Sequence, residues 1–243
     1  MGWSYNFWKG SFYPDGLDSS EFLAYYSKQF DTVEVDNTFY RIPREQTVLD
    51  WRNQTPPGFL FSLKFPQKIT HIKMLRNADE ETAVFLERVG LLGEKLGPLL
   101  LQLPPNFNDD GLVFIGDFLG KLPNRFRYVV AVRNRAMLCP ELYKILREHK
   151  VSLAWAESAI NPAVTEVTGG LIYVRWEGDR KKVKGTLGKT EVDNAADVRS
   201  WVSRLRPFFE KRIDVFGYFS KYYSGLPTTD AKQFLGFANA ASS

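Results

Sequence analysis

The sequence predicts an α/β fold, a single TIM-like (β/α) barrel whose first strand is short or truncated. Short apolar segments with strand character alternate along the chain with segments of helical spacing, as in a series of βα units. Polar residues gather at the C-terminal ends of these strands and share one face. The length of 243 residues suits one such barrel, so we predict a single domain over residues 1–243.

Side-chain parity within the predicted strands separates an apolar face from a polar one. In the second strand, Val33 and Val35 alternate with Glu34. The polar faces of the later strands carry Lys64, Gln102, Arg133, Arg175 and Glu177. Successive strand side chains point to opposite sides, so one face packs under helices and the other lines the barrel. The predicted strands, numbered two to eight, are 32–37, 60–65, 99–103, 128–133, 151–157, 171–176 and 214–219.

The segments between the strands have the spacing of amphipathic helices. We predict helices over 19–28, 44–53, 78–96, 111–119, 140–148, 195–209 and 228–238. The first strand is the weak element, because only residues 1–4 precede an aromatic loop at 5–16. A doubly wound open sheet is the alternative, but no glycine-rich phosphate loop follows a strand.

Composition favours a soluble protein without a membrane partner, and we predict a cytoplasmic location. Apolar residues make up 44% of the chain, with no run near the length of a membrane span and no signal-like N-terminus. The lone Cys139 cannot form an internal disulfide. A net charge of +4 permits an anionic partner without requiring one.

Several separated motifs resemble those of one known family. Residues 2–5 read Gly-Trp-Ser-Tyr, residues 33–40 read Val-Glu-Val-Asp-Asn-Thr-Phe-Tyr, and residues 101–105 read Leu-Gln-Leu-Pro-Pro. With the Thr70-His71 pair, they resemble the YecE-like family, a group of TIM-like barrels of unknown function. The resemblance implies a barrel fold but no settled activity. The chain departs from the family pattern at Ala131, Asn134, Glu177 and the pair Ser220-Lys221.

Charged side chains at the strand ends predict an anion-binding site in the barrel mouth. Cations there could hold a phosphate or carboxylate, and carboxylates beside them could act as general acid or base. Our candidate catalytic residues are Glu34, Lys64 and Glu177. Our candidate substrate-binding residues are Tyr5, Asp36, Asn37, His71, Gln102, Arg133, Arg175 and Lys221. The alternative is a structural network in which these charges only neutralise one another.

Two further features extend this hypothesis. His71 together with nearby acids could bind Mg²⁺ or Mn²⁺ through its imidazole and their oxygen ligands, whereas no zinc spacing occurs. The loop 178–194, which follows the seventh predicted strand, is rich in basic residues: Arg180, Lys181, Lys182, Lys184 and Lys189. It could be a lid, a contact for a phosphate backbone, or a solvated surface loop.

The sequence therefore predicts a barrel that binds a phosphorylated or otherwise anionic substrate at the C-terminal strand ends. Metal-assisted hydrolysis by a phosphoesterase or nuclease is the leading enzyme hypothesis, with an anionic small molecule or nucleic acid as partner. A metal-independent isomerase or lyase acting on a small sugar phosphate or carboxylate is the second. A non-catalytic nucleic-acid or ligand-binding barrel is the third.

Overall fold

Seven parallel strands form the frame of the protein in a computed structural model that describes residues 1–108, 111–158 and 163–240. They are β1 Thr32–Val35, β2 Leu60–Lys64, β3 Leu96–Gln102, β4 Tyr128–Ala131, β5 Ser152–Ser158, β6 Ile172–Gly178 and β7 Val215–Phe219. Each strand pairs in parallel with the next one along the chain. With helices between the strands, this is the predicted TIM-like barrel.

The helices follow the strands around the outside of the barrel. They are α1 Phe22–Tyr26, α2 Glu45–Gln54, α3 Asp79–Gly90, α4 Leu112–Lys121, α5 Pro140–Glu148, α6 Ala195–Glu210, α7 Lys221–Ser224 and α8 Pro227–Ala240. In the described ranges, none is long and apolar enough to cross a membrane. The prediction missed α7, which begins where the side chain of Ser220 accepts a bond from the Tyr222 backbone.

The helix predicted at 78–96 is too long by several residues. It ends at Gly90, and β3 begins at Leu96, which is in register with Phe61 of β2. A side chain at Gly97 would meet the Phe61 carbonyl oxygen at 3.0 Å, so glycine permits this close pairing of strands. Leu91, Leu92 and Leu96 continue the apolar stripe of the predicted helix, but Gly93 adopts a φ of +59° and begins the short 3₁₀ turn Gly93–Lys95, which separates α3 from β3.

The predicted parity of the strands is confirmed by where their side chains pack. Val33, Val35 and Leu63 lie in the large cluster between the strands and the helices. Leu100 and Tyr173 belong instead to a separate cluster inside the barrel. Burying one such apolar side chain contributes about 1.5–3 kcal/mol, so a register shift of one residue in any strand would be strongly opposed.

Residues 1–4 do not form a regular strand, yet they occupy the position expected for one. The Met1 nitrogen donates to the Phe219 carbonyl of β7 at 3.0 Å, and the Gly2 nitrogen donates to the Glu34 carbonyl of β1 at 2.8 Å. No ladder joins β7 to β1 directly among the described residues. The barrel is therefore nearly closed. A gap, which we call the seam, separates β7 from β1, and residues 1 and 2 bridge it near the C-terminal ends of these two strands.

Candidate functional site

The site is built around a buried ion pair between β1 and β6. The Arg175 guanidinium donates from Nε to Glu34 Oε2 at 3.0 Å and from Nη2 to Oε1 at 3.1 Å. Tyr173, two residues earlier on β6, donates its hydroxyl to Glu34 Oε2 at 2.6 Å. Glu34 is fully buried and Arg175 is only 4% exposed. Strand parity produces this arrangement, because Tyr173 and Arg175 share the inward face of one strand.

Burial and hydrogen bonding act in opposite directions on these groups. Burial alone would raise the pKa of Glu34, but Arg175 and the Tyr173 hydroxyl outweigh it and lower the pKa of this carboxyl. Burial likewise opposes the charge on Arg175, and the surrounding carboxylates, Glu34 first, raise its pKa overall. Both side chains are therefore ionised at neutral pH.

A chain of hydrogen bonds continues from Arg175 toward solvent. Its Nη1 donates to Gln102 Oε1 at 3.0 Å and to Glu177 Oε1 at 2.7 Å. Arg133 Nη2 lies 3.3 Å from each of the same two acceptor atoms. Four predicted site residues on three strands or strand ends are thus joined to Glu34 in one network. The Arg133 side chain at the end of the network is 37% exposed.

A cavity of about 300 Å³ opens above this network at the C-terminal ends of the strands. Its charged lining consists of the cations Lys64, Arg133, Arg175, Arg180 and Lys221 and the acids Asp36 and Glu177. Its aromatic lining consists of Tyr5, Phe39, Tyr40 and Tyr222. The cations outnumber the acids, and Glu34 beneath the cavity neutralises one more of them. The mouth therefore has a surplus of positive charge.

Lys64 differs from the other cations of the mouth. It is 8% exposed, and its Nζ lies 4.3 Å from the centre of the Phe39 ring. In the part of the chain that the structure describes, no carboxylate lies within 4.0 Å of this ammonium group. Burial, followed by the nearby Arg175, lowers the pKa of Lys64. An incoming anion would supply the partner that this charge lacks.

Asp36 also has a displaced pKa. Burial and then the nearby Glu34 raise the pKa of its carboxyl, although the side chain remains 38% exposed. The Arg175 Nη2 lies 3.8 Å from Asp36 Oδ1, which opposes the rise. Asp36 and Lys64 therefore line one cavity with their pKa values moved toward neutrality from opposite sides, as general acid–base chemistry requires.

Of the remaining candidates, two line the cavity and two do not. The Lys221 Nζ lies 5.9 Å from the centre of the Tyr5 ring, and both residues face the cavity. Asn37 is exposed at the start of a short 3₁₀ turn and is not part of the lining. His71 lies behind the lining, with Nδ1 2.8 Å from Thr70 Oγ1 and its ring edge-on to Phe39.

Sequence reasoning missed Tyr173 as part of the site and gave no role to Tyr222. Tyr173 has the inward parity of Arg175 and also joins Ser62 Oγ at 2.8 Å, so parity alone could have identified it. Tyr222 lies on α7, with the Arg180 guanidinium 4.7 Å from its ring centre. No signal in the sequence predicts that contact, because it depends on the fold of the loop after β6.

The residues present do not fit a metal centre. Among the described residues, no three His, Cys, Asp or Glu side chains come together as a ligand set. Both oxygens of Glu34 already accept bonds from Arg175, and His71 faces Thr70 and Phe39. His71 therefore does not join the acids of the mouth as a set of metal ligands among the described residues, and we derive no step that involves Mg²⁺ or Mn²⁺.

Fold and site together define a TIM-like α/β barrel with a polar mouth at its C-terminal strand ends. The chain belongs to the family described as protein of unknown function DUF72, whose model matches residues 1–242. This confirms the resemblance to YecE-like proteins.

The relatives extend this assignment without adding an activity. UPF0759 protein YecE of Escherichia coli is 39% identical over 112 residues, which are 46% of this chain and 41% of that protein. UPF0759 protein YunF of Bacillus subtilis is 27% identical over 93% of this chain and 89% of that protein. The chain therefore aligns with less than half the length of YecE.

Solved structures of the same family share the fold. A DUF72 family protein from Thermotoga maritima superimposes with a TM-score of 0.83 at 23% identity, covering 98% of this chain and 97% of that one. One from Enterococcus faecalis gives a TM-score of 0.75 at 21% identity, covering 90% and 94%. At these identities the similarity supports the barrel and nothing finer.

Proposed function

We propose that the barrel mouth binds a small anionic ligand through a phosphate or carboxylate group. The observation that carries this proposal is the buried Lys64 side chain, which lines the cavity and has no carboxylate within 4.0 Å of its ammonium group among the described residues. Arg133 lies at the same cavity with much of its side chain exposed. A charge-assisted hydrogen bond to such an anion contributes about 1.5–3 kcal/mol.

The roles within this site differ between the cations. Arg175 is fully engaged by Glu34, Gln102 and Glu177, so it positions the network rather than holding the ligand. Arg133 makes only two contacts of 3.3 Å, to Gln102 and Glu177, so its guanidinium group is free to reorient toward the ligand. Tyr5 and Tyr222 offer ring faces to the non-ionic part of the ligand.

Calorimetry with sulfate and inorganic phosphate tests this proposal. Lys64→Met and Arg133→Ala should each weaken binding by about tenfold or more, which corresponds to about 1.4 kcal/mol. Lys28→Ala and Arg125→Ala, which remove exposed charges at the opposite end of the barrel, are the matched controls and should bind as the parent does. Unchanged affinity in both mouth variants would assign these cations to structure alone.

The second candidate is a metal-independent isomerase or lyase acting on a small sugar phosphate or carboxylate. The raised pKa of Asp36 and the lowered pKa of Lys64 favour it, because a proton acceptor and a proton donor then share one cavity. Exchange of carbon-bound protons with ²H₂O, followed by NMR across a panel of such ligands, tests it. Exchange that is lost in Asp36→Asn while ligand binding persists would support this candidate, and exchange that is unaffected would reject it.

A nucleic-acid partner draws support only from the loop after β6. Part of its charge is already engaged, because Arg180 lies over Tyr222 and Lys182 Nζ is 4.0 Å from Asp179. A metal-assisted phosphoesterase has less support still, since the residues described by the structure include no assembled set of metal ligands. We therefore favour a small ligand over a polymer.

A further inference from the structure

The barrel mouth has a second compartment, a cavity of about 350 Å³ between the C-terminal ends of β4, β5 and β6, which we call the side cavity. Five residues line both this cavity and that of the proposed anion site: Gln102, Arg133, Arg175, Glu177 and Arg180. Arg133 Nη2 and Glu177 Oε1, 3.3 Å apart, therefore belong to the border between the two cavities. The cavities are neighbours that a single ligand can occupy together.

Strand register explains why the side cavity exists. Ala131 on β4 is in register with Gln102 on β3. Ala156 on β5 is likewise in register with Arg175 on β6. Ala154, two residues before Ala156, has the same inward parity. At the level where the flanking strands carry long polar side chains, β4 and β5 carry only methyl groups, and the missing side-chain volume leaves the side cavity open.

The inner wall of the side cavity is apolar. Ala131 and Ala154 belong to the buried cluster inside the barrel, and Ala156 beside them is half-buried. Leu138 and Val164 also line the cavity and are half-buried. A hydroxyl group placed against the three alanines would give up its bonds to water without finding a side-chain partner on them. The wall therefore disfavours a polyhydroxylated ligand and favours an apolar one.

The charged residues that line only the side cavity leave this wall free. Glu157 has the outward parity of β5, and its Oε2 accepts a bond from Trp201 Nε1 of α6 at 2.6 Å. Asp179 Oδ1 accepts a bond from the Lys181 backbone nitrogen at 2.9 Å. Arg135 and Lys181 are exposed residues of the loops after β4 and β6. These groups lie toward α6 or in the surface loops, so none of them covers the alanines.

We propose that the ligand of the mouth carries an apolar group, aryl or branched alkyl, which binds against the alanine wall while its phosphate or carboxylate meets Lys64. This inference rests on the proposed anion site, where Lys64 is 8% exposed and has no carboxylate within 4.0 Å among the described residues. Arg133 turns from Glu177 to the anion and so opens the border between the cavities. A cavity of about 150 Å³ holds benzene, so the side cavity has room for a ring.

Calorimetry on the parent protein with phenyl phosphate, inorganic phosphate and glycerol phosphate tests this ligand class, at pH about 8, where all three are mainly dianions. Phenyl phosphate should bind at least about tenfold more tightly than inorganic phosphate, because its ring leaves water for the alanine wall. Glycerol phosphate, which carries hydroxyl groups in place of the ring, should show no such gain.

The two proposals fail in different ways in this experiment. Equal affinity for phenyl phosphate and inorganic phosphate would overturn the apolar ligand class and leave the anion site standing. A gain by glycerol phosphate equal to that of phenyl phosphate would overturn it as well, since the wall would then not discriminate against hydroxyl groups. Absence of binding by all three ligands would overturn the anion site and this inference with it.

Ala156→Leu tests where the ring binds. The added side chain fills the side cavity, so the gain of phenyl phosphate over inorganic phosphate should largely disappear, while inorganic phosphate binds as it does to the parent. Ala136→Leu adds the same atoms at an exposed position outside the lining and should keep the full gain. A gain that persists in Ala156→Leu would place the ring elsewhere in the mouth and overturn the inference.

Binding of inorganic phosphate by Ala156→Leu shows that the variant is folded. If that binding is lost, Ala156→Val, which adds a smaller side chain at the same position, takes its place with the same expected loss of gain. The comparison of the three ligands on the parent protein decides the ligand class whether or not either variant folds.

Discussion

Glu34 of β1 and Arg175 of β6 form a two-point ion pair in the interior of the barrel, with Nε–Oε2 and Nη2–Oε1 distances of 3.0 and 3.1 Å. The pair connects strands that are distant in the sheet order and lies directly beneath the candidate site. Replacing both members of such a pair is often tolerated, whereas removing one leaves a buried charge alone.

Glu34→Gln should therefore destabilise the protein strongly. Loss of one partner of a buried pair costs about 3–5 kcal/mol, because Arg175 would stay charged and desolvated. Urea unfolding measures this change. The double variant Glu34→Gln/Arg175→Met should recover part of the loss, and Asp79→Asn, which breaks an exposed pair with Lys121, should change little. A single variant as stable as the parent would contradict the prediction.

The ionisation of Asp230 should make the free energy of unfolding depend on pH. Burial raises the pKa of this carboxyl to about 7, with a bond from Ser224 Oγ opposing the rise. The folded state then binds more protons than the unfolded state between pH about 4 and 7, so this group makes stability fall as pH rises through that interval.

The test is to compare the unfolding free energy of the parent and of Asp230→Asn at pH 4, 5.5 and 7. The variant should lose the decline, a difference on the order of 3–4 kcal/mol between the ends of the interval. Glu34 contributes in the opposite direction, since its lowered pKa gives stability that is lost below pH about 4. Parallel curves for the two proteins would contradict the assignment to Asp230.

Sulfate affinity at the mouth should fall as pH rises toward the ordinary pKa of lysine. Burial and Arg175 lower the pKa of Lys64, so this side chain loses its proton, and with it its positive charge, at a lower pH than an ordinary lysine does. Sulfate remains a dianion throughout, so calorimetry from pH 7 to 10 isolates the titration of the protein group. Lys64→Arg should bind without this decline, because guanidinium stays protonated. A decline that persists in Lys64→Arg would place the titrating group elsewhere.

Gly178→Ala should distort the rim of the mouth. Gly178 ends β6 with a φ of +71°, and a Cβ there would lie 2.1 Å from the Tyr222 carbonyl oxygen. Left-handed strain of this kind costs about 1–3 kcal/mol, and the backbone clash adds to it. The melting temperature and the affinity for sulfate should both decrease. Gly170→Ala, with open space around its position, is the matched control. A Gly178→Ala variant as stable as the parent would contradict the prediction, because the loop after β6 would then accommodate the new side chain without cost.

The basic loop gives a direct test of the nucleic-acid alternative. If Lys181, Lys182 and Lys184 contact phosphates, replacing all three with alanine should reduce the slope of log affinity against log salt by about 0.7 per lysine for a single-stranded oligonucleotide. Filter binding at several salt concentrations measures the slope. No binding by the parent, or an unchanged slope in the variant, would remove the polymer from consideration.

The sequence by itself determined the alternation of strands and helices and the polar parity of the strand ends. Both follow from local periodicity, since a two-residue repeat fixes which side chains share a face. Lys64, Gln102, Arg133 and Arg175 were therefore identifiable as inward residues before any coordinates. The boundary between α3 and β3 was not, because Leu91, Leu92 and Leu96 continue the helical spacing and the left-handed conformation of Gly93 that interrupts the helix is a property of the fold.

Only the tertiary structure decided which of the inward charges form ion pairs and which do not. Parity places Glu34 and Arg175 on one surface, but the curvature of the sheet is what pairs them and leaves Lys64 with no carboxylate within 4.0 Å among the residues that the structure describes. The same curvature keeps His71 from joining the acids and leaves a seam between β7 and β1. Such pairings depend on distances between strands far apart in the chain, and no local pattern encodes those distances.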